Sequence, residues 1–143
     1  MEQHPTSHTE TTTVSFRVPF VSGEGQSDLL EGELVFDAHD PYAVQMHLAA
    51  RSGRVTWTFA RELLAEGLYD PIGDGDVQVW PCLSGAGEAV VVIELSSPSG
   101  TAALQTGSRG ISEFVASTEE LVPTGQESAH LSMDSLLSQL LAA

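Results

Sequence analysis

Four stretches of this chain alternate large apolar residues with polar or small ones, and a period of two marks a half-buried β-strand. The pattern is plainest where Val55, Trp57 and Phe59 point one way and Thr56, Thr58 and Ala60 the other. Val14, Phe16, Val18 and Phe20 alternate with Ser15, Arg17 and Pro19, and Tyr42, Val44, Met46 and Leu48 with Ala43, Gln45 and His47. The segment from Leu30 to Asp37 carries Leu34 and Phe36 in the same way. Pro19 has no N–H to donate, which predicts a sheet edge at that end of its strand. Arg51-Ser52-Gly53-Arg54 reads as the turn of a hairpin between the third and fourth runs. A chain patterned like this must build an antiparallel sheet.

A short helix is expected over Arg61 to Glu66, stopped by Gly67 in the left-handed conformation that suits a helix C-terminus. The stretch from Leu68 to Asp76 (LYDPIGDGD) reads as a loop. Two strands follow, Val77 to Trp80 and Ala89 to Leu95, and the unbroken run Val90 to Ile93 predicts a strand covered on both faces. A further strand is expected over Gly100 to Thr106, and a helix over Ser108 to Ser117. In a last helix, Asp134 to Ala142, the residues Met133, Leu136, Leu137, Leu140 and Leu141 recur at helical spacing, with Ser132 or Asp134 available as N-cap. Such an apolar stripe has to be covered, by its own domain in the first instance and by a partner subunit as the alternative. Strands then a helix, twice over, describe an α+β fold with two similar halves, although no residue-level repeat accompanies them.

At 143 residues and 41% hydrophobic, the chain suits a single core. Residues 1–12, with no large apolar residue after Met1, are expected to form a mobile N-terminal tail, leaving 13–143 as the folded domain. The charge is one-sided: 20 Asp and Glu stand against five Arg and no Lys, a formal net charge of -15. A field of that sign repels phosphate and so disfavours nucleic acid and anionic membrane surfaces as partners. Arg51, Arg54 and Arg61 are the one grouping that could oppose it locally. No run is apolar enough to span or insert into a membrane and no leader is evident, which makes the cytoplasm the expected compartment.

Catalytic and metal-binding readings fare poorly. Cys82 stands alone, so no internal disulfide or thiolate cluster is available, and a small buried hydrophobe is the expectation for it. The carboxylates of Asp70 to Asp76 lack the spacing of a calcium loop, because the twelfth position counted from Asp70 is Pro81 and from Asp74 is Gly85. Of five histidines, His4, His8, His39, His47 and His130, only His4 and His8 stand four apart, and they fall in the expected mobile tail, so no helical ligand pair is expected. His39, beside Asp37 and Asp40, together with the Asp70 to Asp76 loop is the residual candidate for a metal or hydrolytic centre. No G-x-S-x-G elbow and no phosphate-cradling glycine loop is present. The expectation is therefore a binding protein without enzymatic activity or cofactor. Trp57 and Phe59 are expected to fill the concave side of a sheet and Trp80 another, while Tyr42 and Arg61 suit a contact surface.

Four motifs then stand in series: Asp40-Pro41-Tyr42-Ala43-Val44; Trp57-x-Phe59-Ala60-Arg61-x-Leu63-Leu64-x-x-Gly67; Gly73-x-Gly75-Asp76-Val77-x-Val79-Trp80-Pro81; and Leu95-Ser96-Ser97-Pro98-x-Gly100. In them the chain resembles the SsgA-like proteins of spore-forming actinobacteria, from about Thr13 to Leu141. The resemblance implies a small acidic regulator of sporulation-specific cell division that localises or recruits division proteins, such as the tubulin-like FtsZ or a related SsgA-like protein, at septa. It also implies two curved antiparallel sheets with flanking helices, similar to the Whirly-like folds, and a trimeric assembly. It carries no catalytic residue. Interaction residues expected on this basis are Tyr42, Arg61, Leu136, Leu137 and Leu140. A Whirly-like nucleic-acid module is the alternative.

Overall fold

The computed structural model describes residues 11–21, 27–51 and 53–142, with side chains at 17–21, 27 and 28 excepted. The first alternating runs form a meander, β1 (Thr11–Val21), β2 (Ser27–Asp37), β3 (Ala43–Ala50) and β4 (Gly53–Ala60), followed directly by α1 (Arg61–Gly67). A second meander repeats the plan with β5 (Ile72–Asp74), β6 (Val77–Leu83), β7 (Ala89–Ser97), β8 (Gly100–Gly107) and α2 (Ser108–Leu121). The chain continues into α3 (Glu127–Ala142). The two halves inferred from element order are real.

Among the described residues all pairings are antiparallel, and the order β4-β3-β2-β1-β8-β7-β6-β5 joins the four-stranded halves where β1 meets β8, with Val21 opposite Ala103. The end of β1 that Pro19 predicts as an edge is therefore the seam between the halves.

Connectivity dictates curvature. Eight strands laid flat at about 4.8 Å spacing would hold β4 and β5 about 34 Å apart. The seven-residue α1 and the four residues 68–71 span at most about 24 Å. The sheet must curl, and its apolar face is the inside of the curl. There Leu34, Phe36, Val44, Met46, Val79, Val91 and Ile93 are fully enclosed together with Leu64 of α1 and Ile111 and Phe114 of α2. Each such side chain contributes roughly 1.5–3 kcal/mol relative to exposure.

Several expectations need correction. The strand starts at Thr11, two residues early, because Thr11 and Thr12 pair with Asp37 and Phe36; residues 1–10 of the expected tail lie outside the described residues. The loop LYDPIGDGD contains β5, a strand too short for any periodicity to show. Gly67 is the last residue of α1, with Leu68 as right-handed C-cap; its lack of a Cβ serves a close approach, since a methyl group there would overlap the Val79 side chain. In β7, Val91, Ile93 and Leu95 are buried on one face; on the other Val90 is buried but Val92, Glu94 and Ser96 are only half-covered, so the second face is covered at one end alone. Phe59 is buried and Trp57 half-buried against the core, as expected of the concave face, but Trp80 lies half-buried on the opposite face of β6 from Val77 and Val79. Cys82 is exposed on that same face.

Candidate protein-binding surface

Where β4 ends, the chain turns into α1 and Arg61 becomes the first helical residue. Its backbone N–H donates to the Tyr42 carbonyl at 2.8 Å, closing the end of the β3–β4 hairpin. Its side chain turns inward and is only 3% exposed. The guanidinium donates to the carbonyls of Val122 at 2.7 Å and Thr118 at 3.2 Å. Both carbonyls lie at the negative end of α2, a favourable place for a cation; Thr118 O also accepts the Val122 N–H at 2.9 Å, which closes the last turn. The other Nη donates to Glu127 Oε2 at 2.7 Å, Glu119 Oε2 stands 3.8 Å away, and the guanidinium carbon lies 5.0 Å from the centre of the Phe36 ring. One arginine thus ties α1, the end of α2, the start of α3 and the sheet together.

The carboxylates around it are held in their charged form. Hydrogen bonds from its own backbone N–H and from Arg61 pull the Glu127 pKa below the usual range, with a further contribution from the Gly125 N–H at 2.9 Å. Burial pushes Glu119 up, but hydrogen bonds from the Thr124 hydroxyl and N–H, together with the Arg61 charge, outweigh it and leave its pKa lowered. At the β2–β3 turn, the His39 backbone N–H donates to Asp37 Oδ1 at 2.8 Å and lowers the Asp37 pKa, with the His39 ring adding to it.

α3 is fastened by polar contacts. Besides Arg61–Glu127, the Tyr42 hydroxyl meets Ser128 Oγ at 2.8 Å, and Asp134 Oδ2 lies 3.7 Å from His39 and 3.9 Å from His130. No residue of α3 is buried. Leu136, Leu137 and Leu140, expected to be covered, are 49%, 46% and 63% exposed, with Met133 and Leu141 also open. The helix begins at Glu127, not near Asp134, so Ser132 and Asp134 are interior positions and not caps. Tyr42 is half exposed beside it.

Arg61 is therefore no surface contact, and the basic grouping with Arg51 and Arg54 does not form: those two are exposed at the β3–β4 hairpin while Arg61 is inside. The Asp70 to Asp76 segment is the β5–β6 hairpin, turning at Gly75 with φ +60°, a conformation glycine adopts freely. Among the described residues no three His, Cys, Asp or Glu side chains are placed to hold a metal ion. The sequence reading missed Glu119 and Glu127 altogether. Thr124-x-x-Glu127 was the available signal, because that spacing announces a helix N-terminus. A groove of about 820 Å³ on the outer face of the first half is lined by Glu31, Glu33, His47, Arg54 and Thr56 among others.

The family model described as "Streptomyces sporulation and cell division protein, SsgA" matches residues 30–127, a span that starts in β2 and ends on Glu127. The chain belongs to the SsgA family. It is 45% identical, over 92% of its length and 97% of the relative's, to the sporulation-specific cell division protein SsgB of Streptomyces coelicolor. A solved SsgA-like sporulation-specific cell division protein from Thermobifida fusca superposes with a TM-score of 0.81 at 34% identity, covering 94% of this chain and 98% of that one. A solved structure concerning SsgB of Streptomyces coelicolor, mutations in which correlate with longitudinal cell division during sporulation, gives a TM-score of 0.71 at 43% identity, covering 85% and 97%. The fold described above, two four-stranded antiparallel halves with three helices, is thus that of solved SsgA-family relatives. The family motif residues are distributed through it as turns and joints: Asp40, Pro41 and Tyr42 at the β2–β3 turn, Trp57, Phe59, Arg61 and Gly67 through β4 and α1, Gly75 and Asp76 at the β5–β6 turn, Trp80 and Pro81 in β6, and Pro98 and Gly100 at the β7–β8 turn.

Proposed function

We propose that this chain is a non-enzymatic regulator of sporulation-specific cell division, working in the cytoplasm at division septa by recruiting division proteins through protein–protein contacts. The observation that carries the reading is the uncovered leucine face of α3, held out from the body by the Arg61–Glu127 pair and Tyr42. Exposed apolar stripes of this size mark sites of association. The names of the relatives, sporulation-specific cell division proteins, support the cellular role, and FtsZ is the partner the family resemblance brings forward. A homotrimer displaying three copies of one surface would turn weak single contacts into effective localisation. The Whirly-like nucleic-acid reading draws no support, because one of the three arginines it would use is buried.

The test is retention of purified FtsZ on the immobilised protein, with its mass in solution measured by light scattering. The reading expects retention by the wild type, loss on Leu136→Glu with Leu140→Glu, and no retention of an oligonucleotide. A monomer that holds the oligonucleotide and not FtsZ would reject it.

A further inference from the structure

The hydrogen-bond parity of the β3–β4 hairpin fixes which backbone groups of β4 face outward. The Arg61 N–H bonds to the Tyr42 carbonyl, so that pair belongs to the class that exchanges ladder bonds, and antiparallel pairs alternate between bonded and non-bonded. With the observed register, the bonded pairs are Val44↔Phe59, Met46↔Trp57, Leu48↔Val55 and Ala50↔Gly53. The last closes a two-residue turn, as such hairpins require. The N–H and C=O groups of Arg54, Thr56 and Thr58 therefore point away from β3. β4 is the terminal strand on its side of the sheet, and among the described residues no hydrogen bond reaches those groups.

Edges of this kind are normally blunted by proline, lysine, a bulge or brevity. β4 has eight residues, none of them Pro or Lys, and an uninterrupted register. On one face of the edge, Val55 is 55% exposed and Trp57 half-buried; on the other, Thr56 and Thr58 are exposed. From Ala49 to Ala60 there is no acidic residue, although the chain carries a net charge of -15. Arg51 and Arg54 are exposed there, and neither makes an ion pair with a described residue. Glu31 and Glu33 belong to β2, two strands inward from the edge, a step of about 10 Å.

We infer that the free edge of β4 is a strand-addition site for an extended, acidic segment of a partner protein. The segment pairs its backbone with Arg54, Thr56 and Thr58, places an apolar side chain on Val55 and Trp57, and sets carboxylates against Arg51 and Arg54. Main-chain bonds supply affinity and the alternate side chains supply selectivity. A second copy pairing through the same edge is disfavoured because it would set Arg51 and Arg54 against their own copies, and a phosphate backbone cannot match an alternating row of N–H and C=O groups. The inference rests on the protein-binding function proposed above and names a surface distinct from α3.

The test uses the full chain against a surface array of ten-residue peptides alternating valine or threonine with glutamate, matched peptides with lysine in place of glutamate, and a single-stranded oligonucleotide. The glutamate peptides should be retained in preference to both controls. Thr56→Pro, which removes an outward N–H without touching the β3 ladder, should weaken retention about tenfold, as should Arg51→Glu with Arg54→Glu, whose exposed sites leave folding unaltered. Amide exchange should slow at Arg54, Thr56 and Thr58 when peptide is bound. No retention, equal retention of the lysine peptides, preference for the oligonucleotide, or indifference to the arginine reversals would each overturn the inference. If FtsZ is retained by the wild type while the peptides are not, this inference alone fails; if neither is retained, the proposed function fails with it.

Discussion

Replacing Arg61 by methionine keeps the helix-forming propensity and most of the side-chain length but removes every polar contact that the arginine side chain makes at the α1–α2–α3 joint. The variant leaves the Glu127 carboxylate and the carbonyls of Val122 and Thr118 without their cation. Breaking one side of a buried ion pair costs about 3–5 kcal/mol. Glu127 keeps the Gly125 N–H, and Glu119, whose side chain is 37% exposed, can rely on water, so the lower end applies, about 3 kcal/mol. For a domain of this size that is a fall in melting temperature of about 10–15 °C, read by circular dichroism. Adding Glu127→Gln should recover part of the loss, with a coupling of about 1–3 kcal/mol in the double-mutant cycle. Hydrogen exchange should quicken in α3 before it does in the sheet. A single variant within 1 kcal/mol of wild type, or strictly additive losses, would refute the account of Arg61 as the central tie.

Three further outcomes follow from the same geometry. Glu127, Glu119 and Asp37 have folded pKa values below their ordinary ones; their stabilisation is complete above the unfolded carboxylate range and is lost as pH falls through the folded values, so denaturant midpoints should hold from neutral to about pH 5 and drop below about pH 4. Neutralising Glu127 and Glu119 as Gln should flatten that drop. Gly67→Ala, which in an open helix would stabilise by about 1 kcal/mol, should instead destabilise by about 1–3 kcal/mol because of Val79, and Val79→Ala should reverse the sign of its effect in chemical denaturation. Leu136→Glu with Leu140→Glu should change monomer stability by under about 0.5 kcal/mol, since both side chains are open to solvent; a loss above 2 kcal/mol would show that the leucine face is covered within the chain.

Alternation made the long strands legible, because a curled sheet with one buried face writes its register into the sequence at Met46, Trp57 and Phe59. β5 escaped because three residues cannot show a period. The resemblance carried by the four motifs placed the chain in its family, which the comparisons confirm. Arg61 departs from its expected place on a contact surface for a physical reason. Composition treats arginine as a surface residue, and only the meeting of three helix ends in space supplies enough acceptors to bury one. The leucines of α3 were read correctly as a stripe, but amphipathicity states that a face needs a cover without naming it. A glycine at a helix end suggests a left-handed stop, the expectation for Gly67; that it makes room for Val79 depends on a contact made across the fold.

The seam between β1 and β8, where Val21 stands opposite Ala103, also bears on how the molecule assembles. Among the described residues every other strand pairing joins neighbours in sequence, so each meander can form from local hairpins at small loop-closure cost, whereas the seam must close a loop of about eighty residues. Chain collapse therefore has two local nuclei and one late event, the docking of the halves over α1 and α2. A fold organised this way leaves its long-range closure to the packing of the two halves against each other, after the local hairpins are in place.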